Sequence, residues 1–459
     1  MSPVREEVRT LARLAWPVVA SQLGLMLFAL VDMAMLGRVG AREMGAAALA
    51  DACLFGSLIV AMSLALGIDP LVSQAHGAGE GEAVGRALQH GVVVALLGAI
   101  PVTFAWLHVG TILRWTGQTP ELAALGQAYT NPQIWSIAPA LLFVVLRSYV
   151  QGRGLMTPPL WIILGTNLLN AFLDWMLIFG HLGMPAMGIR GAGIATGISR
   201  SILPLGLALL IFGRGLHHGA WTPWSREALG RGLRRALAIG LPLSFQIGFE
   251  VWAFNMCTLI AGKFGEAAVA AHAVVLKTAS FTFMVPLGIS AAAATRVGNR
   301  IGAGDPAGAQ RAANVALAIG AGVMCASAAA FLLFPRVLAG FLTTKPEVVA
   351  IALTIFPVAA AFQVFDGTQV VGCGILRGMG TPRPGAIFNL VGYYVLALPL
   401  GCMLAFRFAM GLRGVWIGLA LGLAIIASLL VLWIAYRGPG RGAHATGSAA
   451  RASAMTAVE

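Results

Sequence analysis

Apolar residues run through this chain in blocks of twenty or more, without regular alternation and almost without charge inside them. Twelve such blocks can be marked, at about 12–35, 45–70, 88–110, 124–146, 158–180, 191–213, 236–260, 267–294, 312–334, 348–375, 384–406 and 414–436, each close to the roughly 20 residues a helix needs to cross hydrocarbon. Lipid offers backbone amides no partner, so only helices and closed barrels cross it. Barrel strands alternate apolar and polar positions, and these runs of Leu, Ala, Ile and Val do not. The pattern predicts an all-α polytopic membrane protein with twelve transmembrane helices and short loops.

Composition agrees: of 459 residues, 58% are hydrophobic and 10% charged, a balance foreign to soluble domains. The net charge of +13 would suit a nucleic acid, but its distribution points elsewhere. Lys and Arg number 19 on the side of the blocks that holds both termini and 9 on the other, with Arg200 and Lys277 inside blocks. That excess places both termini in the cytoplasm. The densest basic cluster, Arg226, Arg231, Arg234 and Arg235, reads as a lipid-facing stretch in the loop before the seventh block, and no nucleic-acid-binding motif accompanies it. The opening MSPVREEVRTLARLAWP leads into an apolar run longer than a signal-peptide core, which predicts a retained first helix. Cys53, Cys257, Cys325, Cys373 and Cys402 all fall in blocks without paired spacing, indicating neither a disulfide framework nor a zinc site.

The chain also matches itself. WPVVASQ…LGRVG (16–40) overlies LPLSFQI…AGKFG (241–265) at an offset of 225, placing Pro17 over Pro242, Gly37 over Gly262 and Gly40 over Gly265. HGAGEGEAVGRA (76–87) overlies IGAGDPAGAQRA (301–312), RGLMTP (153–158) overlies RGMGTP (377–382), and GIRGAGI (188–194) overlies GLRGVWI (411–417). A six-helix unit has been duplicated. Six is even, so both copies enter the membrane from the same side, as parallel repeats about a pseudo-two-fold axis normal to the bilayer. The expected organisation is an amino-terminal lobe over 1–213, a cytoplasmic linker loop over 214–235, a carboxyl-terminal lobe over 236–436 and a disordered cytoplasmic tail over 437–459, in a monomer. Pro17, Pro70, Pro139, Pro242, Pro286, Pro357 and Pro399 inside blocks supply kinks.

Six acids fall within or at the ends of these blocks: Asp32, Asp51, Asp69, Asp174, Glu250 and Asp366. An acid in hydrocarbon is costly, which makes each a functional hypothesis. Glu250 and Asp366 lie deepest; each reads either as a group that trades a proton or Na⁺ for a cationic substrate or as a structural partner for Lys277 or a backbone amide. Asp32 and Asp174 both lie past the midpoints of outward-running helices. Asn170 sits one turn before Asp174 on the same face, and Thr196 adds a hydroxyl. These oxygens suit a proton or a hard cation such as Na⁺, and an interhelical hydrogen-bond network is the alternative. Asp51 and Asp69, near block ends, read as solvated or capping. Lys277 is a candidate counter-charge or a snorkelling lysine. Phe245, Gln246, Phe249 and Tyr394 are candidates for a substrate-lining face, where aromatic rings attract cations.

The elements Pro17…Val31-Asp32 and Gly37, the turn Gln74-Ala75-His76-Gly77-Ala78-Gly79, Glu250, the turn Asn299-Arg300-Ile301-Gly302-Ala303-Gly304, and Asp366…Leu376-Arg377-Gly378 together resemble the multidrug and toxic compound extrusion (MATE) transporters over residues 10–436. The resemblance implies a V-shaped pair of six-helix lobes in the bacterial inner membrane. It implies export of organic cations or other amphipathic compounds against inward H⁺ or Na⁺, without a cofactor, with small molecules and membrane lipids as the only partners. The coupling acids of the NorM-like branch fall on Glu250 and Asp366, and the first-half cluster of the DinF-like branch falls on Asp32, Asn170, Asp174 and Thr196. This chain carries both sets. A lipid-linked precursor flippase of the related superfamily would call for a strongly cationic cavity, and intramembrane Arg and Lys are scarce. An intramembrane enzyme would call for HExxH, GxSxG or a pair of GxGD-type aspartates, and the chain carries no such set.

Overall fold

A computed structural model describes residues 3–441. Among them every regular element is helical, and twelve helices are long and apolar enough to span a membrane. In chain order these are α1 (Pro3–Val39), α2 (Ala41–Gly77), α3 (Gly81–Leu107), α4 (Pro120–Gly152), α5 (Thr157–Phe179), α6 (Ile189–Gly213), α7 (Arg226–Ala261), α8 (Glu266–Gly302), α9 (Pro306–Leu333), α10 (Pro346–Gly378), α11 (Arg383–Arg407) and α12 (Gly411–Arg437). Each coincides with one predicted block. The duplication shows in detail too, since a short extra helix follows the third span of each half, Val109–Trp115 and Pro335–Gly340.

Several helices are interrupted where the sequence removes a backbone donor or crowds a turn. In α2 a tighter turn over Leu66–Ile68 precedes Pro70, and in α4 another covers Asn131–Ser136 around Pro132. Proline has no N–H and clashes with the preceding turn, so the helix regroups locally. In α11 the wider π-helical turn is adopted over Val391–Ala397 and again over Met403–Arg407. Such insertions re-aim side chains and gather at functional sites; here the first one carries Tyr393 and Tyr394.

Helices extend beyond the predicted lipid blocks wherever charged residues that favour helix follow. The stretch expected as a loop up to residue 235 is helical from Arg226 onward. Arg, Ala and Leu have high helix propensity, and the charge of the arginines governs insertion depth rather than backbone conformation. At the other end, helix α12 reaches Arg437, and the Gly440 amide donates to Gln310 Oε1 at 3.2 Å. The tail expected over 437–459 is therefore held on α9 at its start, and its residues 442–459 lie outside the described residues.

The chain forms two compact units. The amino-terminal unit holds residues 20–76 and 80–244, and the carboxyl-terminal unit holds residues 3–19, Gly77–Gly79 and 245–441. Each has its own apolar core: Leu36, Ile68, Leu141, Val144 and Tyr149 in the first, Phe331, Phe356, Phe362, Trp416 and Leu423 in the second. The divisions fall inside α1, after Val19, and inside α7, after Ser244. They do not fall in the 214–225 segment, and they are 225 residues apart, the offset of the repeat. In the carboxyl-terminal unit, the opening of α1 is fixed by Glu7, which is 2% exposed and takes hydrogen bonds from Arg296 Nε and Nη2 at 2.6 and 3.0 Å. In the amino-terminal unit, the corresponding opening of α7 is fixed by backbone proximity, with Gly67 against Ala236 and Gly240, and by Ser244 Oγ donating to the Val60 carbonyl at 3.0 Å.

Small residues set how closely helices approach in lipid, where no hydrophobic effect separates helix from solvent. On α12, Gly414, Gly418 and Gly422 recur at four-residue spacing and form a stripe on which α11 rests. A Cβ on Gly418 would stand 2.4 Å from Gly401 Cα, and one on Gly422 would stand 2.5 Å from Ala397 Cβ. Gly418→Ala is expected to cost about 1–3 kcal/mol by forcing the helices apart. Thermal unfolding of purified protein in detergent should register this, while Gly165→Ala, whose Cβ would meet nothing within 4 Å, should leave the transition no lower than that of the wild type.

Candidate functional site

In the amino-terminal unit, α1, α5 and α6 meet around a buried polar cluster. Asp32 comes from α1, Asn170 and Asp174 from successive turns of α5, and Thr196 and Ser199 from successive turns of α6. All five are at most 4% exposed. Asn170 Nδ2 donates to Asp32 Oδ1 and, at 3.0 Å, to Asp174 Oδ2. Ser199 Oγ donates to Asn170 Oδ1 at 3.0 Å, which fixes the orientation of that amide. The four residues singled out from the sequence are thus in one place, and Ser199 joins them.

Two carboxylates converging on one amide nitrogen cannot both stay ionised in a water-poor interior; a proton or a bound cation has to share the site. Among the described residues neither acid has an ion-pair partner, and Asp174 Oδ1 has no hydrogen-bond partner. Thr196 can register the difference. Its Oγ1 lies 2.9 Å from Asp32 Oδ2 and 3.0 Å from the Ala192 carbonyl oxygen. A hydroxyl has one proton. With Asp32 ionised, Thr196 donates to the carboxylate. With Asp32 protonated, the carboxyl O–H donates to Thr196 Oγ1, which turns its own proton to Ala192. Nearby, Tyr129 donates to Asp51 Oδ2 at 3.4 Å, and Arg200 donates to Gln133 Oε1 at 2.9 Å while lying over the Trp106 ring at 5.7 Å. Asp51 is partly buried, lies well inside α2 and is partnered by Tyr129, so it is more than a helix cap.

The carboxyl-terminal unit builds a second acidic site from α7, α10 and α11. Glu250 is partly buried and Asp366 is 4% exposed. Gln369 joins them: it follows Asp366 by three residues on the same helix face, and its Nε2 donates to Glu250 Oε2 at 3.1 Å and to Asn389 Oδ1 at 3.3 Å. Asn389 Nδ2 in turn donates to the Gln246 carbonyl at 3.4 Å, one turn before Glu250. Asp366 Oδ1, Gln369 Oε1 and Gln246 Oε1 are buried acceptors without a partner among the described residues. This set of oxygens can take up a proton, or a hard cation in carboxylate and carbonyl oxygens.

An aromatic face borders Glu250. The rings of Phe245 and Phe249 stack at 5.9 Å, and Phe249 meets Tyr394 edge-on at 5.7 Å. The Tyr394 hydroxyl donates to the Phe249 carbonyl at 3.3 Å, clamping α11 to α7. Phe245 is 58% exposed, so the face is open at that end. Gln246 points the other way and is buried, which makes it part of the acidic site rather than of this face. Lys277 is exposed, and among the described residues it pairs with neither Glu250 nor Asp366.

Gln369, Asn389 and Ser199 were not singled out from the sequence. Gln369 could have been, by the same one-turn rule that links Asn170 to Asp174. Asn389 and Ser199 reach their sites only through helix packing and leave no local signal.

Two segments of the chain, residues 17–176 and 242–403, each match the MatE family model, one per half of the duplication. Over 442 residues the chain is 36% identical to the probable multidrug resistance protein NorM of Bradyrhizobium diazoefficiens, covering 93% of this chain and 92% of that protein. It is 32% identical over 445 residues to the multidrug resistance protein NorM of Aliivibrio fischeri, covering 95% and 96%. Among solved structures, the eukaryotic MATE transporter AtDTX14 superposes with a TM-score of 0.88 at 26% identity, covering 96% of this chain and 98% of that one. With twelve spans, a duplicated six-helix plan and family matches in both halves, the chain belongs to the multidrug and toxic compound extrusion (MATE) family of membrane transporters.

Proposed function

We propose that the protein is a secondary antiporter that exports organic cations and other amphipathic compounds in exchange for H⁺ or Na⁺, with both termini in the cytoplasm. The observation that carries this reading is the convergence of Asp32 and Asp174 on the single Asn170 amide without an ion-pair partner. Such a pair is stable only when it holds a proton or a small cation, so its occupancy can be tied to which side of the membrane the protein opens toward. Glu250 and Asp366 give the other half of the chain a second site of the same kind, and Phe245, Phe249 and Tyr394 supply rings for an aromatic cation beside it. The named relatives support drug extrusion as the direction of transport.

Energetics bound the cycle. Each tenfold step of substrate gradient costs about 1.4 kcal/mol, and one charge moving through 100 mV supplies about 2.3 kcal/mol. A one-for-one exchange of H⁺ for a monovalent cation moves no net charge and draws on the ion gradient alone. A second coupling ion lets the membrane potential contribute, and two acidic sites provide for it.

Proteoliposomes loaded with ethidium or norfloxacin, with ΔpH or ΔNa⁺ imposed one at a time, test the proposal. One gradient should drive efflux by the wild type, and Asp32→Asn, Asp174→Asn and Glu250→Gln should each lower the rate at least about tenfold, the loss of about 1.4 kcal/mol of coupling. Wild-type rates in all three variants at equal reconstitution would refute it. Thr196→Val, which removes one hydrogen bond worth about 1 kcal/mol, should slow efflux about fivefold, and Thr196→Ser should restore it. Phe249→Ala should raise the apparent KM for a cationic aromatic substrate about two- to fivefold, the equivalent of a cation–π contact of about 0.5–1 kcal/mol, with the maximal rate preserved.

A further inference from the structure

A second group of buried polar atoms lies in the carboxyl-terminal unit beyond the acidic site, toward the turn between α7 and α8. Glu250, Phe254 and Thr258 follow one another at one-turn spacing on α7, so Thr258 stands about 12 Å along the helix from Glu250. His272 is fully buried, and its Nε2 lies 3.1 Å from Thr258 Oγ1, which is also 3.1 Å from the Phe254 carbonyl. Whichever way the single hydroxyl proton of Thr258 points, His272 Nδ1 is left as a buried polar atom with no partner among the described residues. The neighbouring ring, Trp416, is also fully buried; its centroid is 5.6 Å from that of His272, and its Nε1–H is likewise without a partner. The buried Tyr393 hydroxyl is a third such atom.

Buried N–H and O–H groups are almost always satisfied, and where protein atoms do not serve them ordered water does. One water molecule can serve both nitrogens in either tautomer: it accepts from Trp416 Nε1 and either donates to or accepts from His272 Nδ1. Phe254 and Phe362 connect these groups to the helix turns that carry the acids, with ring centroids 6.2 Å from Phe254 to Tyr393, 5.9 Å from Phe254 to Phe362 and 5.6 Å from Phe362 to Trp416. Asp366 lies one turn after Phe362 on α10, and its unpartnered Oδ1 begins the inner group of orphaned atoms, with Gln369 Oε1 and Gln246 Oε1.

We propose that a file of buried water runs from the His272–Trp416 pair past the Tyr393 hydroxyl to Asp366 and Glu250, and that it is the route by which a proton reaches the carboxyl-terminal acidic site from the side where α7 meets α8. This rests on the proposed antiport and deepens it. A single file between packed aromatic rings conducts protons by exchange along hydrogen bonds, whereas Na⁺ would need its hydration shell replaced along the way. His272 and Trp416 are positioning residues that hold the water.

Hydroxyl-radical labelling in ¹⁸O-water, applied to the whole protein in nanodiscs and read by mass spectrometry, tests the water directly. Water bound beside a buried ring labels it. Trp416 and Tyr393 should label at least tenfold faster than Trp106, which is equally buried but donates its Nε1–H to Ser57 Oγ at 3.0 Å. Labelling as slow as that of Trp106 overturns the route, whatever the transport assay gives. Two substitutions then test its use. His272→Asn keeps an atom near the Nδ1 position and should hold the ΔpH-driven maximal rate within twofold. His272→Gln keeps only the contact to Thr258 and should lower that rate at least fivefold with KM unchanged, as should Tyr393→Phe. The opposite order for the two His272 variants would mean that the Thr258 contact alone matters, and would overturn the proposal. Absence of efflux under any gradient in the wild type would instead remove the antiport reading and leave the labelling result standing.

Discussion

A carboxylate taken out of water must be compensated, and the interior of this protein compensates its acids with hydrogen bonds from neutral groups and leaves their charge unmatched. Asn170 serves two acids at once, Gln369 serves Glu250, and among the described residues no ion pair closes either site. Carboxamides orient an oxygen without neutralising it. On the proposed antiport, that choice keeps the acids open to a mobile positive charge. By contrast, the Glu7–Arg296 pair, made of matched opposite charges, is placed where a helix end has to be held.

The two acidic sites solve the same problem differently. In the amino-terminal unit both carboxyl groups meet on one donor, so their occupancies are tied and the protons of the pair belong to the pair. In the carboxyl-terminal unit a glutamine ties Glu250 to Asn389, and several acceptor oxygens, Asp366 Oδ1 among them, are left over. The first arrangement is compact and fully enclosed. The second is bordered by rings on one side and by orphaned polar atoms on the other.

Much of this was legible in the sequence. Long apolar blocks could only be membrane helices, and the repeat fixed their number and symmetry. Acids stood out because hydrocarbon tolerates so few. What escaped is what depends on neighbours. Asn389 and Ser199 are ordinary polar residues until another helix brings an acid to them. Counter-charge and snorkelling lysine stood side by side for Lys277, because depth along a helix can be counted, whereas the direction its side chain takes cannot be read from a segment apolar nearly all round. The helix over Arg226–Arg235 was hidden for the opposite reason: in a membrane protein, charge marks the end of a span and says nothing of where the helix ends. The widened turns of α11 have no sequence signature beyond Gly392 and Pro399 nearby.

The divisions after Val19 and after Ser244 occupy equivalent places in the two copies of the repeat. Each copy thus surrenders the opening of its first helix to the other. A free-standing six-helix copy could make the same exchange only by pairing with a twin, each lending its amino terminus across. Severing the chain in the 214–225 segment would give two fragments that each still carry a piece belonging to the other's compact unit.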